Sequence, residues 1–186
     1  DVGVYGMAGP ALEMVLQAGW QAESGVALEV IPGISAVNAC AALVGAPLTH
    51  DFCTISLSDL LTPWPVIVRR LQAAAEADFV TALYNPKSSK RTTQIIEAQE
   101  IFLSCRAPTT PVAVVTAAYR DDARVTLTDL AHLLEVEIDM ETTVLIGNST
   151  TFAQAGWMVT PRGYGSKYDL QEIVAKRSAT AADRSV

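Results

Sequence analysis

Residues 27–39 read ALEVIPGISAVNA, and no other stretch restricts the fold of this chain so tightly. The branched residues Leu28, Val30 and Ile31 make a short apolar run that stops at Pro32-Gly33. Small residues at helical spacing then begin, with Ser35 in the capping position. The pattern predicts strand, tight turn, helix. In an open α/β sheet such a turn lies beyond the carboxyl end of a strand, where helix N-terminal amides and an uncluttered backbone can meet a ligand. Pro32 stiffens the turn, Gly33 permits close approach and Ser35 offers a hydroxyl. A lone turn of this kind also serves simply to end a strand and cap a helix, so its weight depends on its neighbours.

Upstream, DVGVYGMAGP is a glycine-rich loop in which Gly3 and Gly6 either punctuate turns or cradle a ligand. A helix is predicted over residues 11–18, with Leu12, Val15 and Leu16 on one face. The helix that follows the PGIS turn runs to Leu43 and breaks at Gly45-Ala46-Pro47. An alternating strand comes next over 52–57, and the Gly/Pro punctuation before it predicts a domain boundary near residue 50. Thr62 as cap and Pro63 at the first helical position start a further helix, whose apolar face carries Val66, Ile67, Leu71, Ala74 and Ala75. Residues 79–84, 112–116 and 142–146 are near-continuous apolar runs, the mark of buried strands. Between the first two, Ile95, Ala98 and Phe102 define another helix. A short strand is predicted over 125–127, a helix capped by Thr128 to Leu134, and an edge hairpin or antiparallel strand over 152–159. Strand and helix alternating at these spacings predict largely parallel pairing with crossover helices. The sequence turns polar after Pro161-Arg162-Gly163; a short helix is predicted about 170–176, and residues 166–186 as a whole read as a tail.

Charge narrows the possible partners. The formal net charge is −7, so the chain has no bulk basic face for nucleic acid, and any anionic ligand must be met locally. There is no run of eighteen apolar residues and no charged-then-apolar leader, which predicts a soluble protein with no membrane partner. Cys40, Cys53 and Cys105 are odd in number and lack metal-type spacing. They read as reduced thiols of a cytoplasmic protein, with no metal site.

In a parallel sheet the loops at 32–35, 84–91, 116–120 and 147–151 would open on one edge. Their small residues and hydroxyls suit a neutral or zwitterionic cofactor, and Lys87, Lys90, Arg91 and Arg120 suit carboxylates. The same cations also read as ordinary solvated loop charges. No His-Glu-x-x-His, nucleophile elbow, P-loop or complete dinucleotide fingerprint occurs. His132 is predicted mid-helix, at the surface or core edge. His50-Asp51, at the proposed junction, is the better polar candidate, followed by Ser56, Ser58 and Asp59 in SLSDLLTPW, where alternation puts the two serines on one face.

Taken together and in order, DVGVYGMAG, VIPGISAVNACAALVGAPLTHDFCTISLSDLLTPW, DFVTALYNPKSSKR, DMETTVLIGNS and MVTPRGY resemble the precorrin-3B C17-methyltransferases of cobalamin biosynthesis, a branch of the tetrapyrrole methylases. The match covers residues 1–164. The resemblance implies an α/β fold of two αβα domains with S-adenosylmethionine in the cleft between them, and a homodimer. Carried over residue by residue, it implies cofactor contacts at Asp1, Val4, Ser35, Ala36, Tyr84, Asn85, Ala117 and Thr143. It implies methylation of a tetrapyrrole at C17 with ring contraction, on a substrate either free of cobalt or carrying it. Lys87, Arg91 and Arg120 would pair with the substrate's acetate and propionate arms. Asp51, Ser58 and Asp59 are the candidates for moving protons in ring contraction.

Two departures stand out. The family's first loop reads Gly-Asp-Pro, whereas here Val2 follows Asp1 and nothing precedes it. The N-terminal strands are absent, a gap on the order of 60 to 80 residues at about 30 per βαβ unit. The expected organisation is therefore residues 1–50 as the remnant of an N-terminal α/β domain, 51–165 as a C-terminal α/β domain and 166–186 as the tail. The chain is then either a fragment of a longer enzyme or a shortened relative needing a partner. A non-catalytic tetrapyrrole-binding or assembly module is the alternative from a different class.

Overall fold

A computed structural model describes residues 1–164; the expected tail and the helix about 170–176 lie outside the described residues. In chain order the elements are α1 (Ala8–Gln17), α2 (Ala36–Val44), β1 (Gly45–Ala46), β2 (Phe52–Ser56), α3 (Trp64–Glu76), β3 (Val80–Tyr84), α4 (Gln94–Leu103), β4 (Pro111–Thr116), β5 (Arg124–Asp129), β6 (Thr142–Ile146), β7 (Phe152–Gln154) and β8 (Trp157–Val159). Single 3-10 turns lie at Ala22–Ser24 and Leu133–Glu135.

The three apolar runs become β3, β4 and β6 at the centre of a five-stranded sheet ordered β2-β3-β6-β4-β5. Period-two alternation sends their side chains to two cores. Leu83, Val112, Val114, Val144 and Ile146 face one side, where Ile67 and Leu71 of α3 and Ile95 and Phe102 of α4 cover them. Ala82, Tyr84, Ala113, Val115 and Leu145 face the other, where α2 lays down Val37, Cys40, Ala41 and Val44. Thus α2, although it precedes residue 50, packs on the sheet formed by the residues after it.

The predicted parallel sheet is corrected here. Within the five-stranded sheet only β2 and β3 pair in parallel, whereas β3–β6, β4–β6 and β4–β5 are antiparallel. A continuous apolar run reports that both faces of a strand are covered, and here helices cover both faces of strands running in opposite directions. The second sheet is small, ordered β1-β8-β7. Its β7–β8 hairpin, the antiparallel edge element expected over 152–159, turns through Ala155 and Gly156 at φ of 50° and 81°, as a two-residue hairpin turn requires. Gly45, at φ 129°, lets β1 lie beside β8, since a Cβ there would stand 2.7 Å from the Met158 carbonyl oxygen.

Two more expectations fail. Residues 28–31 form no strand; they are exposed, with Ile31 71% accessible, because no neighbouring strand among the described residues takes up their backbone groups. The helix expected over 128–134 is replaced by the last residues of β5 and one 3-10 turn. Asp129 accepts the His132 amide at 3.0 Å, and this Asx-type turn competes with helix propagation.

Candidate functional site

The site is built around the end of β3. Tyr84 is buried, and Asn85 after it takes a φ of 49°, which swings the chain off the sheet. The Tyr84 carbonyl accepts the Leu57 amide at 2.9 Å, fixing the start of the loop after β2. Its phenol oxygen accepts the Val37 amide at 2.8 Å. That amide lies in the first turn of α2, where Ser35 occupies the N-cap position and makes no side-chain capping bond. Tyr5 leans on Tyr84 with ring centroids 4.9 Å apart, and its hydroxyl donates to the Thr54 carbonyl at 3.0 Å. Burial pushes the Tyr84 phenol above the usual tyrosine range, with the bond from Val37 opposing it, so the group is neutral. The PGIS turn and the Tyr84-Asn85 bend therefore face each other.

Asp1 joins the first loop to the same place. Its carboxylate accepts the amides of Gly3 at 2.6 Å, Val4 at 3.0 Å and Gly33 at 3.3 Å. Gly33 makes room for this contact, because a Cβ there would meet the Asp1 backbone at 3.2 Å. Gly6 serves only the loop's own path: its Cβ would stand 2.5 Å from the Val2 carbonyl oxygen. Val4 and Ala36 are exposed, and Ser35 is buried. Ala117, at the end of β4, takes a φ of 51° and lies on the same edge as Tyr84. Thr143, on β6 beside it, is buried and hydrogen-bonded to the Cys40 thiol, which burial pushes up in pKa.

The loop after β2 carries the polar groups facing this edge. Ser56 Oγ accepts the Ser58 amide at 3.2 Å and Asn85 Nδ2 at 3.0 Å. Asp59 accepts Gln94 Nε2 at 2.8 Å, which ties the loop to the start of α4. Asp51 is not brought to them. It precedes the first residue of β2 while Ser58 follows the last, a separation of about 16 Å or more along an extended strand. Asp51 instead lines a cleft at the opposite edge with His50, Asp78, Asn148 and Thr150. The 147–151 loop is there too, because β6 runs antiparallel to β3 and β4; the expectation of four loops on one edge is corrected to three.

The cations divide by role. Arg91 donates Nη2 to the Asn85 carbonyl at 2.8 Å and holds the bend. Arg120 pairs with Glu141 at 2.9 Å, both side chains exposed. Lys87 is half-buried and Lys90 exposed, and neither joins an ion pair among the described residues. The sequence reading missed Tyr5 and Gln94. An aromatic residue inside a glycine-rich loop was the available signal for Tyr5; nothing local marks Gln94. A separate groove between α1 and residues 28–31 is lined by Met7, Leu12, Val15, Leu28 and Ile31. Its walls are largely aliphatic, with Glu29 the one charged residue among them.

The family described as Tetrapyrrole (Corrin/Porphyrin) Methylases matches residues 1–134. The chain is 59% identical over 172 residues to the cobalt-factor III methyltransferase of Priestia megaterium, covering 92% of this chain and 32% of that protein. It is 48% identical over 164 residues to the probable cobalt-factor III C(17)-methyltransferase of Salmonella typhimurium, covering 88% and 66%. Its fold superimposes on the crystal structure of the methyltransferase CobJ with a TM-score of 0.78 at 35% identity, covering 87% of this chain and 66% of that one. The chain thus spans about a third of the length of the first relative and just under two thirds of the second.

Proposed function

The chain belongs to the tetrapyrrole (corrin/porphyrin) methylases, and from that premise we propose that it takes part in S-adenosylmethionine-dependent methylation of a precorrin-3B-type tetrapyrrole at C17, with ring contraction, in cobalamin biosynthesis. One observation carries the reading: the Tyr84 phenol meets the Val37 amide at 2.8 Å. The PGIS turn and the Tyr84-Asn85 bend, both expected at the methyl donor, therefore share one edge. The names of the relatives at 59% and 48% identity favour the cobalt-bearing form of the substrate.

The groups at this edge suit the donor. Asn85 and Ala117 turn sharply at the ends of β3 and β4, the two strands that flank β6, Ala36 and Ala117 carry no bulk, and Tyr84 is neutral. Asp1, Val4, Ser35, Ala36, Asn85 and Ala117 would hold it directly and Tyr84 through the bend that it anchors, with Thr143 supporting them from beneath α2. Bound there, S-adenosylmethionine supplies a methyl group already activated on a sulfonium, so transfer to an electron-rich ring carbon needs alignment rather than a strong base. Lys87 and Arg120 meet the carboxylate arms of the macrocycle, and Arg91 does so while holding the Asn85 carbonyl. Ser58 moves the proton in ring contraction, oriented by a loop that Asp59 anchors to Gln94. Asp51 has no part in this step.

We further propose a homodimer in the cytoplasm, and a division near residue 50 into residues 1–50, 51–165 and 166–186, across which α2 reaches to pack on the sheet of the second segment. Among the described residues no helix is long and apolar enough to cross a membrane. A second reading, a tetrapyrrole-binding module without turnover, is favoured by one observation: α1 buries none of its residues, so the cradle is supported from one side only. Calorimetric titration with S-adenosylhomocysteine, followed by transfer of labelled methyl to the tetrapyrrole, separates the two. Micromolar binding with transfer supports the enzyme. Tetrapyrrole binding by a folded sample that ignores S-adenosylhomocysteine supports the module.

A further inference from the structure

The first turn of a helix leaves amides that need partners, and the residue in the N-cap position usually supplies one. In α2 that residue is Ser35, and its side chain makes no such bond. The partner comes from 47 positions away, as the Tyr84 hydroxyl. The same residue's carbonyl holds the Leu57 amide at 2.9 Å, and the residue after it holds Ser56 through Asn85 Nδ2 at 3.0 Å. Tyr5 packs on the ring and bonds to β2 through Thr54. One side chain thus fixes the turn on the donor side, while its own backbone fixes the loop on the tetrapyrrole side. The Val37 amide, which would otherwise be available to a ligand at a helix N-terminus, is already engaged.

From this geometry we infer that Tyr84 is a positioning residue: by capping α2 it sets where the PGIS turn stands relative to the Tyr84-Asn85 bend, and so sets affinity for the methyl donor without its hydroxyl touching that donor. The inference rests on the functional reading above, since it assumes that the donor lies at this edge. If the bond favours binding, then binding must favour the bond by the same factor, because coupling between two equilibria is reciprocal. This gives a test independent of turnover.

The 186-residue chain is titrated with S-adenosylhomocysteine, and exchange of the Val37 amide is followed with and without it. The same titration is run on Tyr84→Phe, which keeps the ring and deletes the bond. The inference expects affinity in Tyr84→Phe to fall about tenfold, equivalent to about 1.4 kcal/mol, with kcat changed far less than the KM for the donor. It also expects bound S-adenosylhomocysteine to slow Val37 exchange in the unsubstituted protein by a similar factor. A purely structural cap would lower thermal stability and leave affinity alone, which overturns the inference. So does Val37 exchange that is indifferent to the ligand, and that arm stands even if Tyr84→Phe does not fold. Failure of the unsubstituted chain to bind S-adenosylhomocysteine strikes the functional reading instead.

Discussion

Arg91→Ala separates the carboxylate pairing that the sequence suggests for this cation from the structural role that its contacts give it. In the structure its Nη2 donates to the Asn85 carbonyl at 2.8 Å, and Asn85 sits at a φ of 49°. The Ser88–Arg91 turn is held by backbone bonds of 2.9 and 3.3 Å and by Ser88 Oγ at 3.0 Å, all of which survive truncation to alanine. The loss is therefore chiefly one charge-assisted bond to a carbonyl left without another protein partner, with a long Nη2 contact to Met140 Sδ at 3.7 Å beside it, about 2 kcal/mol from the usual range for such bonds. For a chain of this length that lowers Tm by about 4–8 °C. Lys87→Ala removes a charge of the same sign from the same loop, with no such bond, and is expected to leave Tm within about 2 °C. Both variants should weaken tetrapyrrole binding, measured by absorbance titration, because each removes a partner for a carboxylate arm. Thermal unfolding by circular dichroism provides the comparison. If Arg91→Ala unfolds at the temperature of Lys87→Ala, the Asn85 contact contributes nothing and the account of the bend is wrong.

Further expectations follow from other contacts. Arg106 is buried, with its guanidinium donating to the carbonyls of Gly147, Phe79 (2.6 Å) and Ala74 (3.2 Å) and stacked 4.8 Å from the Phe102 ring. Phe79 and Ala74 carbonyls have other donors, from Thr81 and the Phe79 amide. Arg106→Met therefore orphans chiefly the Gly147 carbonyl, loses the stacking and breaks the ion pair of Nε with Asp78 at 3.7 Å, costing about 3 kcal/mol in urea denaturation. His132 Nδ1 lies 2.7 Å from the Asp129 carboxylate, whose hydrogen bond raises the imidazole pKa above its ordinary 6.5 while Asp129 falls below 3.8. The His132 contribution is complete below 6.5 and disappears as pH rises through its raised value. The Asp129 contribution is present above 3.8 and disappears as pH falls through its depressed value. Asp129→Asn should return the imidazole NMR titration to the ordinary histidine range, and an unmoved midpoint would contradict the pairing.

The parts of this fold that could be read from sequence are those set by local pattern. The buried runs at β3, β4 and β6, the helical faces of α3 and α4, and the antiparallel edge element over 152–159 all depend on residues near one another in the chain. Strand direction was not legible. The same Val/Leu/Ile run suits either direction once both faces are covered, and the assumption of parallel pairing carried the 147–151 loop to the wrong edge. Residues 28–31 have the branched residues of a strand, but a strand forms only where a neighbour completes its hydrogen bonds. At the site, the PGIS turn and the Tyr84-Asn85 bend stood out as motifs. That a tyrosine caps α2 from 47 positions away, or that Asp59 is tied to Gln94, depends on tertiary placement and leaves no trace in local spacing. Asp51 was grouped with Ser58 and Asp59 because they are close in sequence. An extended strand converts that closeness into distance.

The most direct test is a chemical-shift map of S-adenosylhomocysteine on the labelled chain. The account predicts saturable shifts at the amides of Val4, Gly33, Ala36, Asn85 and Ala117, with His50, Asn148 and Thr150 at the far edge unmoved. Shifts confined to the far edge, or none in a folded sample at millimolar ligand, would contradict it.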